Sequence, residues 1–358
     1  MKKLYVAGAS LALSATTAFA GGMDRSGQNV GIIFEKGNYV EFSIGSVRPE
    51  VSGTFGGGAI STGDIAEDYT QIGFGYKHQF NDKFSLSLIY DQPFGADIQY
   101  PANALLGGLN NANAQLRSTG LTVLGRYKID NRFSVHGGIS YQTLDMNVEL
   151  NGGVYKGSGA RSAAIGYVIG AAYEIPEIAG RVALTYRSET EHDVDTNETL
   201  GIPRPQSVTT IKLPKSVNLD FQTGIAADTL LFGQVRWADW TATEIYPAVY
   251  KTISTTPLVG YRNDVVTLSV GVGRKFSDQW SGAISFGYEK AEGGKAPNLG
   301  PTDGKKSITA AAVYNAGNGL KITGGVSYVK VGNAISNAGG TFNDNKAVGF
   351  GLKVSKSF

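Results

Sequence analysis

Residues able to do covalent chemistry are few in this chain. Its three histidines, His78, His136 and His192, fall on separate segments without metal-ligand spacing. There is no cysteine, which removes thiolate nucleophiles, thiolate metal sites and disulfides together. His136 lies two residues from Ser134, and a lipase built into a barrel wall needs such a pair, but strand spacing makes that coincidence cheap. Gly56-Gly57-Gly58 and Gly304-Lys305-Lys306 both lack the Gly-Lys-Ser/Thr ending of a phosphate loop. The sequence therefore predicts no enzyme, no catalytic residue, no metal and no cofactor.

Binding is better represented. The stretch from Pro93 to Ala114 carries Phe94, Ile98, Tyr100, Leu105, Leu106 and Leu109 outside any strand pattern, with helix-compatible spacing at the three leucines. Exposed apolar surface of this kind marks a binding site, or a loop tucked over its own fold. Pro93 cannot donate to a ladder and Gly95 tolerates unusual dihedrals, so a strand must end or kink at Pro93-Phe94-Gly95.

The elements that would hold these residues are strands. The stretch from Asn345 to Phe358 alternates, with Val348, Phe350, Leu352 and Val354 on one parity and Gly349, Gly351, Lys353 and Ser355 on the other. The same pattern recurs in fourteen segments, at about 38–51, 68–80, 83–92, 114–129, 132–149, 160–174, 180–190, 215–226, 229–241, 263–276, 279–291, 305–316, 319–332 and 345–358. Most are long enough to cross a bilayer when tilted. Six tight turns, such as Asn81-Asp82, Asp130-Asn131 and Gly317-Asn318, alternate with seven long loops at 52–67, 93–113, 150–159, 191–214, 242–262, 292–304 and 333–344. A soluble sandwich has no reason to sort its connections by end, whereas a transmembrane barrel has short periplasmic turns and long outer loops. The expected fold is all-β, a fourteen-stranded antiparallel barrel with a short luminal segment before the first strand.

Aromatic residues fit this frame. Phe80, Phe84, Phe133, Phe276, Trp280 and Phe358 lie beside the short turns; Tyr90, Tyr141, Trp237, Trp240, Tyr288 and Tyr328 lie towards the long loops. Lys2 and Lys3, an apolar run from Leu4 and the small-residue site Ala18-Phe19-Ala20 read as a signal peptide over residues 1–20. Residues 21–37 then form a short plug-like segment and 38–358 the barrel. Without Lys2 and Lys3, 30 Lys+Arg face 30 Asp+Glu, a balance that speaks against nucleic acid as a partner. Forty-nine glycines are high for a helical protein and ordinary for many bending strands.

If the apolar parity faces lipid, Arg126, Lys128, His136, Arg181, Arg187, Arg236, Lys321 and Lys353 point inward with Asp220. Such an interior could attract a carboxylate, or pair its charges internally. Arg126 and Arg236 are the candidate headgroup contacts.

The segment from Leu213 to Glu244 resembles the FadL family of outer-membrane transporters for long-chain fatty acids and other hydrophobic molecules. Leu213-Pro214 and Asp239-Trp240 match the family's pattern there, and Tyr90 to Tyr100 is similar to its third strand, which breaks before a long outer loop. The resemblance implies passive uptake across the outer membrane of a Gram-negative cell, with a lateral gap in the wall at Pro93, Phe94 and Gly95. Members carry an amino-terminal hatch with an Asn-Pro-Ala signature that this sequence lacks. The expected partners are long-chain fatty acids or similar hydrophobic molecules, the surrounding lipid and lipopolysaccharide, and the barrel assembly machinery, with the barrel a monomer. The rival readings are a diffusion porin for small polar solutes and the outer-membrane lipase.

Overall fold

The computed structural model describes residues 23–358; the signal-peptide reading of residues 1–20 lies outside them. Fourteen antiparallel strands close into one barrel. In chain order they are β1 (Tyr39–Glu50), β2 (Tyr69–Gln79), β3 (Phe84–Asp91, resuming as Gly95–Gln99), β4 (Asn113–Lys128), β5 (Phe133–Leu150), β6 (Tyr155–Ile175) and β7 (Gly180–Arg187, resuming as Thr190–Leu200). Then follow β8 (Ser207–Leu213, resuming as Ser216–Ala226), β9 (Thr229–Ala238), β10 (Val265–Lys275), β11 (Trp280–Glu289), β12 (Lys305–Gly317), β13 (Leu320–Val331) and β14 (Lys346–Ser357). β1 pairs with β14 from Tyr39↔Ser357 to Glu50↔Lys346, which leaves no open edge.

Alternation decides which side faces lipid. Phe42 and Ile44 of β1, Leu121 and Tyr127 of β4, and Val266 and Leu268 of β10 are exposed, while the parity between them turns into the lumen. The short turns are built by side chains that replace ladder bonds. The Asp130 carboxylate accepts from the backbone N–H groups of Arg132 and Phe133 at 2.7 Å each, and Asn81 does the same for Lys83 and Phe84. Phe80, Phe133, Phe276, Trp280 and Phe358 stand exposed around this end. At the other end Tyr141, Tyr288 and Tyr328 are exposed in the same way, but Trp240 is 1% exposed and belongs to the interior.

Two loops hold more strand than the sequence suggests. Most of 191–214 is strand, because β7 and β8 run on past the membrane as a paired hairpin from Thr190↔Leu213 to Thr196↔Ser207. Its buried parity includes His192, Thr196 and Glu198, so it carries little apolar periodicity to read. Residues 52–55 and 60–64 form a small hairpin that joins 295–296, 334–336 and 341–342 in a sheet over the mouth.

Small inward residues set how closely the strands pack. A side chain at Gly138 of β5 would collide with the carbonyl oxygen of Val123 on β4. Gly138→Ala is therefore expected to destabilise the barrel by about 1–3 kcal/mol, read as a lower urea midpoint in detergent. An unchanged midpoint would show that β4 and β5 can separate without cost.

Candidate binding site and lateral gap

The wall is interrupted between β2 and β3. Their pairing stops at Phe74↔Tyr90. Beyond it the Gln92 side chain substitutes for the ladder, its Oε1 accepting from Ile72 N at 2.9 Å. Pro93 brings no donor, and the Phe94 peptide is pulled inward, its N–H donating to Ser118 Oγ at 2.8 Å while the same hydroxyl donates to Phe94 O. When β3 resumes at Gly95 it pairs with β4 alone, from Gly95↔Arg117 to Gln99↔Asn113.

The free edge of Gly95–Gln99 is covered from two sides. Residues 65–67 of the first outer loop bond across it, Gln99 N to Ile65 O at 2.8 Å and Glu67 N to Asp97 O at 3.1 Å. Below them lies the segment before β1. Arg25 N donates to Pro93 O at 2.8 Å and Gly95 N donates to Met23 O at 2.9 Å, so Asp24 sits directly opposite Phe94 as a short antiparallel strap. The Arg25 guanidinium then passes into the interruption, where it pairs with Asp97 at 2.8 Å and lies 3.9 Å from the Tyr69 ring centroid. Gly95 leaves the space that this guanidinium occupies, so a side chain there would displace the Arg25 head.

From the strap the segment runs down the lumen, and inward charges hold it. Arg236 pairs with Asp24 at 2.7 Å and also donates to Ser216, Asn218 and Gln28. Arg187 donates to the Gln28 carbonyl and Asn218 to that of Gly27. Ile32 and Ile33 pack with Ile89, Leu124 and Val168, and Gly75 leaves the room that Ile32 needs. Phe34 lies between the guanidinium groups of Arg126 and Arg181, at 4.6 and 4.2 Å from its ring centroid. Arg126 is further bound to Glu174, Ser134 and the Ile33 carbonyl. Arg126 and Arg236 thus face inward, as parity indicates, but they grip the amino-terminal segment and do not line the apolar cavity.

That cavity lies above the strap. It holds about 110 Å³ and is lined by Met23, Ala96, Leu116, Met146 and Val148 from one side and Leu258, Val259 and Leu299 from the other. Its rim carries four charges. Glu292 pairs with Lys290 at 3.2 Å, and Asp303 accepts from the N–H groups of Glu292 and Gly293. Arg262 and Lys295 make no ion pair among the described residues. A second, polar cavity of about 500 Å³ lies on the far side of the strap, at the interruption, lined by Arg25, Tyr69, Gln92, Phe94, Asp97 and Arg117 among others. Met23 faces one cavity and Arg25 the other, so the strap is the partition between them.

The loop from Pro93 is brought into this region. Phe94, Ile98, Tyr100, Leu106 and Leu109 join one buried apolar cluster with Met23, Leu116 and Trp240, and Phe94 meets the Trp240 ring edge-on at 5.6 Å. Burial holds the Tyr100 phenol above its ordinary pKa, so it stays a donor, to Asn298 O at 2.7 Å. Leu105 stands apart at 73% exposed, because the turn at Ala104–Leu109 is a short 3-10 helix capped by Asn103 rather than a longer amphipathic one. Sequence reasoning missed Met23, Arg25, Leu258, Arg262 and Lys295, which lie in segments with no periodic signal. The Ser134–His136 pair does not form: Ser134 meets Arg126, and His136 Nε2 lies 3.0 Å from Thr185 Oγ1.

The comparisons agree with this architecture. The structure superposes on a FadL homologue of Pseudomonas aeruginosa with a TM-score of 0.73 and 14% identity, covering 96% of each chain. It superposes on the Pseudomonas putida toluene transporter TodX at 0.68 and 12%, over 90% of each chain. For the Ralstonia pickettii toluene transporter TbuX the values are 0.65 and 12%, over 96% of this chain and 97% of that one. No curated protein matches by sequence. Residues 33–358 match the profile of the family described as outer membrane protein transport protein (OMPP1/FadL/TodX). Covering nearly the whole described chain, that match makes this protein a member of the FadL/TodX family, outer-membrane barrels that transport hydrophobic compounds.

Proposed function

We propose that the barrel takes up long-chain fatty acids or closely similar apolar carboxylates, which bind in the upper cavity and leave sideways through the interruption between β2 and β3. The observation that carries this is the pairing of an apolar cavity with a rim on which both carboxylates are engaged and both cations, Arg262 and Lys295, are not. Burying a hydrocarbon tail is favourable by about 25 cal/mol per Å². A carboxylate at the rim adds charge-assisted hydrogen bonds that a bare hydrocarbon cannot make. An axial exit is opposed by Ile32, Ile33 and Phe34, which fill the lower lumen within a cage of arginines.

The relatives named for toluene supply the competing substrate class, and charge reversal at the rim separates the two. Arg262→Glu with Lys295→Glu is expected to cut uptake of labelled oleate by at least about tenfold, since two charge-assisted bonds are lost and two repulsions added. Toluene uptake by the same cells should stay within about twofold. Equal loss for both substrates, or for neither, contradicts a carboxylate-binding rim and returns the reading to a neutral hydrocarbon.

A further inference from the structure

The lipid-facing side of the barrel carries a charge arrangement that transport does not use. Lys306 of β12 lies directly opposite Lys330 of β13, and Lys330 lies directly opposite Lys346 of β14. Directly opposed residues stand about 5 Å apart, and like charges in such pairs are destabilising. Three lysines therefore form one row across three adjacent strands. The row ends on Tyr288 at one side and Glu50 at the other.

Its height is fixed by its neighbours. The next outward row below is Ile308, Tyr328 and Val348, part of the apolar band that faces lipid. A row just above that band, beside Tyr288 and Tyr328, lies at headgroup level. The ammonium groups have no inward alternative, because the wall behind them is the apolar cluster of Val47, Val329, Val331 and Ala347.

The nearby carboxylates do not neutralise the row. Lys346 reaches Glu50 at 3.1 Å and Lys330 reaches Asp344 at 3.8 Å, with all four side chains more than 40% exposed. Exposed pairs of this kind are worth about 0–1 kcal/mol. Lys306 makes no ion pair among the described residues. Arg48, one row lower on β1, adds a fourth cation and meets Asp68 only at 3.7 Å. Above the membrane β7 presents Glu191, Asp193 and Asp195 to the outside instead, with Lys212 as a counter-charge to Glu189 and Glu191.

We infer that Lys306, Lys330 and Lys346 form a docking site for the phosphorylated headgroup of an outer-leaflet glycolipid. A phosphate seated over the row accepts from several ammonium groups and removes the repulsion between them, while the acyl chains lie along Ile308, Tyr328 and Val348 below. The matching of a cationic row to an apolar band directly beneath it selects a lipid over a soluble anion.

The test uses the purified full-length barrel in detergent with diphosphoryl lipid A, its dephosphorylated form and inorganic phosphate as separate probes. Retained lipid is read by native mass spectrometry. Lys306→Gln with Lys330→Gln and Lys346→Gln should weaken binding of diphosphoryl lipid A on the order of a hundredfold. Lys212→Gln on the opposite side should not. Without lipid, the triple variant should melt close to wild type, because relief of the repulsion among the lysines offsets the loss of the exposed pairs with Glu50 and Asp344; with lipid A, wild type alone should gain. Equal binding of the dephosphorylated lipid, full competition by inorganic phosphate, or retention that vanishes with EDTA would overturn the inference. So would a triple variant that binds lipid A like wild type.

Discussion

Joining Asp24 to Phe94 by a disulfide should stop uptake, and reduction should restore it. These two residues are the opposed pair of a short antiparallel bridge, flanked by the bonds Arg25 N to Pro93 O and Gly95 N to Met23 O. A pair flanked in this way has its Cα atoms about 4.5 Å apart, within the range a disulfide spans. The protein has no cysteine, so Asp24→Cys with Phe94→Cys introduces one defined link. The strap divides the apolar cavity, which Met23 lines, from the polar cavity at the wall, which Arg25 lines. A ligand passing from one to the other must displace it. Locking it should therefore cost at least about tenfold in uptake under oxidising conditions, with recovery in dithiothreitol to the level of the reduced double variant. The single variants lose the Asp24–Arg236 pair or the Phe94–Trp240 contact but keep the strap unlinked, and should transport equally in both conditions. Normal uptake by the oxidised form would mean that ligand passes without moving the strap.

This expectation departs from what the sequence suggests. Read alone, the break at Pro93-Phe94-Gly95 and the plug-like segment before the first strand have nothing to connect them. In the structure the two are bonded to each other, so deleting Met23 to Ile32 is expected to open the partition and also to remove Ile32 from the lower lumen.

Much of the wall was legible because lipid outside and water inside force a period of two. Phe42, Leu121, Val266 and Phe350 announce their side by parity alone. The break was legible because Pro93 lacks a donor whatever surrounds it. The strap was not, since the ladder bonds that form it join the backbone groups of Met23 and Arg25 to residues some seventy positions away. Inward parity placed Arg126 and Arg236 correctly, yet what they hold, the Ile33 carbonyl and Phe34 ring for Arg126 and Asp24 for Arg236, comes from the distant amino-terminal segment. The cavity-lining residues Leu258 and Leu299 belong to irregular outer loops, where neither period applies.

The claim beneath all of this is that ligand leaves through the wall. Replacing Pro93-Phe94-Gly95 by Thr-Val-Thr supplies the missing donor and three β-branched residues, the last with its side chain where the Arg25 guanidinium now lies. The ladder between β2 and β3 should then extend beyond Phe74↔Tyr90 towards Gln99. Uptake of labelled oleate by cells carrying this variant, at matched levels of heat-modifiable barrel, is the direct measurement. Lateral exit predicts a fall of at least about tenfold while oleate still binds the purified protein, whose upper cavity is lined by Leu258, Val259 and Leu299 as before. Uptake at the wild-type rate through the closed wall would contradict it and leave the lumen as the route.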